Sequence, residues 1–67
     1  MAITLKAARV NAGFTQKEAA KKLGISKGTL ASYEQYKTKP DVERAQQIAD
    51  LYGTTVDNII FLPKDCA

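Results

Sequence analysis

Apolar residues recur along this chain at the spacing of a helix, in segments separated by glycines and one proline. In the first segment Leu5, Ala8 and Ala12 share one face, which predicts a helix that Thr4 caps. A glycine follows the first, second and fourth segments, a position typical of a helix end. No stretch alternates with the period of two that a half-buried strand shows. The pattern therefore predicts an all-α fold.

Residues that can cap a helix precede the remaining segments. Thr15 and Glu18 form a T-x-x-E capping box, in which each side chain bonds the backbone N–H of the other residue. Ser26 and Asp41 precede the third and fourth segments, and Thr55 starts a short fifth one. The sequence therefore predicts five short helices, with a polar loop between the third and the fourth.

The second half of the chain supplies much of the predicted core. On the fourth helix, the apolar residues at helical spacing are Val42, Ala45, Ile48, Ala49 and Tyr52. The run Ile60, Phe61 and Leu62 then adds more apolar surface than one short helix can hide. We expect this run either to form a self-complementary dimer patch or to fold back over the core of its own chain. Residues 1–62 are assigned to one domain and residues 63–67 to a frayed tail.

Composition excludes several classes of protein. The chain has 67 residues, one cysteine and no histidine. Histidine-based general bases and tetrahedral zinc sites are therefore excluded, and a single thiol cannot close an internal disulfide. No apolar run is long enough to span a bilayer. We expect an intracellular protein that uses no metal or cofactor and is not an enzyme.

The net charge of +3 conceals an uneven distribution along the chain. Residues 1–39 contain eight basic and two acidic residues, a net charge of +6. Residues 40–67 contain two basic and five acidic residues, a net charge of −3. This asymmetry indicates that one face meets a polyanion, although solvated lysines on helix surfaces would give the same count.

The spacing within residues 16–35 fits two helices that cross at a steep angle over a short turn, which is a helix-turn-helix. Ala20 is small enough for the close crossing, and Gly24 suits a turn that needs a positive φ. Leu30 and Tyr33 can hold the second of these helices down. Its other face carries Lys27, Gly28, Ala31, Ser32 and Gln35. Any two helices joined by a glycine imitate part of this pattern, so the residues themselves must decide.

The residues extend the pattern to a known family. They are Thr15-Gln16-Lys17-Glu18-Ala19-Ala20, Leu23-Gly24-Ile25-Ser26, Tyr33-Glu34, Pro40, Ile48-Ala49 and Val56-Asp57-x-Ile59-Ile60. They closely resemble the Cro/repressor-type helix-turn-helix family, also called XRE or lambda-repressor-like. The likeness runs from about Leu5 to Ile60. It implies a compact five-helix domain that binds duplex DNA sequence-specifically as a homodimer, on a partly symmetric operator, usually to repress transcription.

The resemblance also implies a role for individual residues. Those that match base-reading positions in the major groove are Lys27, Gly28, Thr29 and Ser32. Those that match positions at the DNA backbone are Thr15, Gln16, Lys17, Ser26, Gln35, Tyr36, Lys37 and Lys39. Gln16 matches a position that also braces the recognition helix, and it starts a helix whose N–H groups point towards an anion.

Two positions depart from the family pattern. Gly28 stands where relatives often have a long polar reader, so we expect more of the specificity to come from DNA shape. Tyr36 stands where many relatives have a glycine that ends the recognition helix. We expect Tyr36 to contact sugar and phosphate, and the alternative is a tyrosine that lies over its own helix end.

A further pairing implied by the resemblance joins Arg9 on the first helix to Glu34 on the third. We expect a partly buried ion pair that fixes these two helices together, whereas two unrelated surface charges are the alternative. Loss of one partner would then cost more than loss of a surface bridge, because an uncompensated charge would remain.

Together these features favour a Cro-type transcriptional repressor from a phage or a bacterium. We expect it to act as a homodimer in the cytoplasm of a bacterial cell or a phage-infected host. An antitoxin or a protein-interaction adaptor built on the same fold is the alternative. Repression and activation differ in where the operator lies, and the sequence does not contain that information. It also leaves open whether these residues are a whole protein or the DNA-binding part of a longer repressor.

Overall fold

The computed structural model describes residues 2–61, which form four α-helices, one 3-10 turn and two strands of two residues each. In chain order the elements are β1 (Ile3–Thr4), α1 (Leu5–Asn11), α2 (Gln16–Leu23), α3 (Lys27–Glu34), α4 (Val42–Tyr52), the 3-10 turn (Val56–Asn58) and β2 (Ile59–Ile60). Leu62 and the predicted tail of residues 63–67 lie outside the described residues. In the described part of the chain, every helix is too short or too polar to cross a membrane.

The four α-helices begin at the residues that the sequence predicts as caps. Thr4, Thr15, Ser26 and Asp41 each accept a hydrogen bond from the backbone N–H three residues further on, over 2.7 to 3.1 Å. The N–H of Thr15 donates to Glu18 Oε1 over 3.0 Å, which completes the predicted capping box. These bonds from Thr15 lower the pKa of the Glu18 carboxyl. The predicted N-termini are therefore confirmed.

The predicted fifth helix is wrong. The chain forms only the 3-10 turn Val56–Asn58 and then becomes extended as β2. This strand pairs with β1 in parallel, with Ile3 opposite Ile59 and Thr4 opposite Ile60. The two β-branched isoleucines of β2 favour an extended backbone over a helix. The fold is therefore a four-helix domain whose first and last described elements form a small parallel sheet.

The core lies between the helices and beneath this sheet. Its largest fully buried side chains are Leu5, Leu30 and Ile48, which come from α1, α3 and α4. Helix α2 contributes Ala19 and Ala20, whose small side chains let the neighbouring helices approach closely. The prediction that Val42 belongs to this core is wrong, because its side chain is 87% exposed. Val42 is the first residue of α4, and the buried residues of this helix begin at Ala45.

Candidate nucleic-acid interface

Helices α2 and α3, joined by residues 24–26, form the predicted helix-turn-helix. Gly24 ends α2 with a φ of 73°, a left-handed conformation that a side chain would strain. Ala20 on α2 is 2% exposed, and Leu30 on α3 is completely buried. The buried faces of the two helices meet in the core, so the opposite face of α3 is left at the surface.

The surface side of α3 carries the residues that match base-reading positions. Lys27 and Gly28 are exposed in the first turn, whereas Thr29 and Ser32 are half-buried. Ser26 Oγ accepts the N–H of Thr29 over 3.1 Å, and the two hydroxyl oxygens lie 2.8 Å apart. This pair of hydroxyls stabilises the start of α3. Lys27 has the longest polar side chain at this end of the helix.

Helix α3 is fixed at its other end through the carboxylate of Glu34. Arg9 Nε on α1 donates to Glu34 Oε2 over 2.7 Å, and Gln16 Nε2 on α2 donates to Glu34 Oε1 over 2.9 Å. The side chains of Arg9 and Glu34 are only 10% and 4% exposed. Arg9 Nη1 also donates to the carbonyl of Phe14 over 2.9 Å. One carboxylate therefore joins three helices, and Gln16 braces α3 as the family resemblance implies.

The start of α2 lies at the surface with its own set of predicted phosphate contacts. The capping box uses the N–H groups of Thr15 and Glu18. The N–H groups of Gln16 and Lys17 lie between them in the first turn, where helix geometry gives them no acceptor within the helix. The side chain of Lys17 is exposed beside them. Such a helix start attracts a phosphate oxygen.

The segment after α3 carries the remaining predicted backbone contacts. Gln35, Lys37 and Lys39 are exposed, whereas Tyr36 is half-buried. The hydroxyl of Tyr36 donates to the carbonyl of Ile60 in β2 over 3.3 Å. The hydroxyl thus has a partner within the protein, and the contact of Tyr36 with sugar and phosphate stays a prediction.

Positive charge is concentrated in side chains that lie free at the surface. Arg9 and Glu34 neutralise each other inside the protein, so the excess charge of the first half belongs to lysines. The exposed lysines are Lys6, Lys17, Lys21, Lys22, Lys27, Lys37 and Lys39. Residues 2–61 contain no cluster of three or more side chains able to hold a metal ion. An excess of exposed lysines suits contact with a polyanion.

Arg44 was not identified from the sequence as a functional or structural residue, yet Arg44 on α4 contacts the end of α2, the first helix of the helix-turn-helix. Its Nη1 atom donates to the carbonyl of Leu23 over 2.8 Å and to Gln47 Oε1 over 3.1 Å. The carbonyl of Leu23 belongs to the last turn of α2, where the helix dipole favours a cation. A basic residue three positions after the Asp41 cap gives no signal of this contact, because the partner lies on another helix.

Tyr52 was predicted only as a core residue, and its hydroxyl adds a polar atom to the core. The residue is 8% exposed, and among the described residues its hydroxyl has no hydrogen-bond partner. Burial, together with the negative charge of Glu34, raises the pKa of Tyr52 to about 12. The ring of Tyr52 packs against Phe14 with 6.1 Å between the centroids. The hydroxyl therefore lies in the electrostatic field of the Arg9–Glu34 pair.

The predicted dimer patch continues into a shallow groove. Of its three residues, Ile60 and Phe61 are half-buried and Leu62 lies outside the described residues. The groove has a volume of about 350 Å³ and is mostly apolar. Its lining consists of Lys39, Pro40, Asp41, Val42, Ala45, Val56 and Phe61. Of the lysines that follow α3, Lys39 lines this groove.

Comparison with known proteins agrees with this geometry. The helix-turn-helix family matches residues 5–59, which include all four α-helices and the 3-10 turn. The chain belongs to the Cro/repressor-type (XRE) helix-turn-helix family. Members of this family are DNA-binding transcription regulators. In helix-turn-helix proteins the recognition helix is the second helix of the motif, which corresponds to α3.

Two curated relatives have names of the same kind. The HTH-type transcriptional regulator ImmR of Bacillus subtilis (strain 168) is 41% identical over 56 residues, which are 84% of this chain and 44% of ImmR. The uncharacterized HTH-type transcriptional regulator MJ0272 of Methanocaldococcus jannaschii is 34% identical over 61 residues, 91% of this chain and 92% of that protein. This chain therefore spans less than half of ImmR but nearly all of MJ0272. No solved structure matches significantly.

Proposed function

We propose that this chain is a Cro-type transcriptional repressor, phage or bacterial, that binds a partly palindromic operator as a homodimer in the cytoplasm of its host cell. The observation that carries the proposal is the way α3 is held. Its inner face is buried through Leu30, and its last residue is fixed to α1 and α2. Its polar outer face has the exposed Lys27 and Gly28 in the first turn. A helix fixed at its end in this way is suited to enter a DNA groove without being deformed.

Base reading falls to the exposed side of α3 in this proposal. Lys27 donates to guanine O6 and N7, while the hydroxyls of Thr29 and Ser32 contact bases at its flank. Gly28 adds no side chain, so part of the specificity comes from the shape of the DNA.

Phosphate contacts flank the reading surface on two sides. The start of α2 contributes Thr15, Gln16 and Lys17, and Ser26 lies at the start of α3. The segment after α3 contributes Gln35, Lys37 and Lys39. Because lysines supply much of this contact, binding releases counterions and weakens steeply as salt rises.

A second copy of the chain is the occupant we propose for the apolar groove that adjoins Ile60 and Phe61. The lining of the groove is mostly apolar and includes Val42, Ala45 and Phe61. A two-fold axis through the groove would bring these side chains against the same side chains of the partner, as a self-complementary interface requires. The exposed side chain of Val42 then becomes covered. The dimer places two copies of α3 about 34 Å apart, in adjacent turns of the major groove, where they exclude polymerase.

Selection of bound sequences from a random duplex pool tests the DNA-binding part of this proposal. We expect an enriched palindrome with half-sites about one helical turn apart. The affinity for that duplex should fall steeply between about 50 and about 200 mM salt, because binding releases counterions. A pool that shows no enrichment, or binding that is insensitive to salt, contradicts the proposal. Stoichiometric co-purification of a second protein would favour the antitoxin or adaptor instead.

Sedimentation equilibrium tests the homodimer. The variants are Val42→Glu and Phe61→Glu, which place a charge in the groove. Their control is Val10→Glu, because Val10 is a 57% exposed valine on α1. We expect the groove variants to shift the equilibrium towards monomer and the control to leave it unchanged. Equal dimerisation of all four proteins would place the interface elsewhere.

A further inference from the structure

Tyr36 has a backbone conformation that its side chain makes unfavourable. Its φ is 61°, and it is the only residue other than glycine within residues 2–61 that has a positive φ. In this left-handed region the β-carbon crowds the neighbouring carbonyl oxygen, so such residues are strained. Strain of this kind persists where the surroundings hold the residue in place.

The helix end alone explains the conformation but not the tyrosine. The N–H of Lys37 donates to the carbonyl of Ser32 over 3.0 Å, and the N–H of Tyr36 donates to the carbonyl of Tyr33 over 3.1 Å. These two bonds form a Schellman motif, whose left-handed position glycine fills without strain. A tyrosine at this position therefore contributes something through its side chain that glycine lacks.

That contribution is a link to β2. The hydroxyl of Tyr36 donates to the carbonyl of Ile60 over 3.3 Å, across 24 positions of sequence. Immediately after Tyr36 come the exposed residues Lys37 and Lys39, and then the buried Pro40. The lysine loop, defined as residues 37–39, is thus held at one end by the side chain of Tyr36 and at the other by burial of Pro40.

We infer that Tyr36 is a positioning residue that fixes the lysine loop against β2, so that Lys37 and Lys39 meet the DNA phosphates at a defined place. In this inference Tyr36 acts through these lysines, in place of the direct sugar and phosphate contact that the family resemblance implies. The inference rests on the proposed function, because it needs the lysines of the loop to contact phosphate.

The first experiment measures operator affinity of Tyr36→Phe and Tyr36→Gly with the duplex selected by the parent protein. Tyr36→Phe keeps the ring and removes the hydroxyl, whereas Tyr36→Gly removes the whole link and relieves the strain. We expect Tyr36→Phe to bind about threefold more weakly, as loss of one hydrogen bond predicts, and Tyr36→Gly about tenfold more weakly. Thermal unfolding checks that both variants fold.

The second experiment asks whether the effect passes through the lysines. Log affinity falls as log salt rises. Replacement of Lys37 and Lys39 by alanine should make this slope less steep by about two, because two phosphate contacts are lost. In that lysine-free background Tyr36→Gly should have no further effect on affinity. In the parent background, Tyr36→Gly should also make the salt dependence less steep, as the double lysine variant does. A double-mutant cycle isolates this coupling.

Three results would overturn the inference. The first is an operator affinity of Tyr36→Phe equal to that of the parent, since the hydrogen bond from the hydroxyl to Ile60 would then not position the lysine loop. The second is parental affinity of Tyr36→Gly. The third is a full additional loss from Tyr36→Gly in the lysine-free background, since Tyr36 would then contact DNA directly. Failure of the proposed function looks different, because the parent itself would then select no duplex.

Discussion

Arg9 Nε lies 2.7 Å from Glu34 Oε2, and both side chains are almost completely enclosed by the protein. This pair joins the start of the fold to the end of the recognition helix. Since Glu34 also accepts from Gln16, its charge stabilises two donors on different helices. The orientation of α3 therefore depends on an ion pair that is enclosed within the protein.

Glu34→Gln should lower the free energy of unfolding by about 3 kcal/mol, because it leaves the guanidinium of Arg9 buried without a counter-charge. Urea denaturation followed by circular dichroism measures the change. Glu43→Gln is the matched control, since Glu43 is exposed in the first turn of α4 and loses only its interaction with the helix dipole. We expect the control to change stability by less than about 1 kcal/mol. Equal stability of parent and Glu34→Gln would refute a structural role for the pair.

Tyr52→Phe should raise the free energy of unfolding by about 1 kcal/mol at neutral pH. The hydroxyl is buried and has no hydrogen-bond partner among the described residues, so its removal ends a desolvation penalty. The same denaturation measurement applies. A clear loss of stability in Tyr52→Phe would show that the hydroxyl makes a favourable interaction in solution.

The parent should lose stability as pH rises from about 10 to about 12, and Tyr52→Phe should lose less. Burial and Glu34 raise the pKa of Tyr52 from 10.0 to about 12 in the folded protein. The unfolded chain therefore releases this proton first, and stability that is fully present below pH 10 declines above it. The difference between the two proteins should approach a loss on the order of 2 kcal/mol at pH 12. Parallel pH profiles would contradict the assignment.

Gly28→Ala should stabilise the protein by about 0.5 to 1 kcal/mol, because alanine favours a helix more than glycine does. There is room for the new methyl group, since its nearest neighbour would be Ser26 Oγ at 3.9 Å. Gly24→Ala serves as the control, and its φ of 73° predicts a loss of stability instead. Thermal unfolding of the two variants should show shifts of opposite sign. Shifts of the same sign would show that backbone conformation does not govern these two positions.

Lys27→Ala and Lys17→Ala should weaken operator binding in different ways. Lys27 lies on the proposed reading face, so its loss should relax the preference at one position of the half-site. Lys17 lies at the start of α2, so its loss should weaken all duplexes about equally and reduce the salt slope by about one. Competition with a set of single-base variants of the selected operator measures both effects. An unchanged site preference in Lys27→Ala would remove Lys27 from the reading face.

Local signals in the sequence were sufficient for the helices. Each N-cap acts within three residues, and the left-handed positions of Gly24 and Gly53 depend only on the adjacent helix ends. The fifth helix was wrong for the opposite reason. The segment Val56-Asp57-x-Ile59-Ile60 resembles that of a five-helix domain, but pairing with β1, which is distant in sequence, makes Ile59 and Ile60 extended. A strand of two residues is too short to show an alternating pattern.

The sequence likewise predicted some residues of the candidate site and missed others. Family resemblance identified Arg9, Gln16 and Glu34, which the structure brings together in one network. Contacts of Arg44 with α2 and of Tyr36 with β2 join side chains to backbone carbonyls of other elements. A carbonyl group is present at every residue, so the sequence has no distinctive partner to show. The exposure of Val42 likewise depends on tertiary packing, which helical spacing does not show.

The parallel pairing of β1 with β2 also has a consequence for folding order and for the handling of the protein. Ile3 and Ile59 are 56 positions apart, so the chain must close a long loop before they meet. The helices can dock through nearer contacts, so we expect this pairing to form late in folding. Removal of the first four residues would free one edge of β2 and release the segment that carries Ile60 and Phe61. An affinity tag fused before Ile3 would adjoin β1 in the chain, so it should be cleaved before oligomeric state is measured.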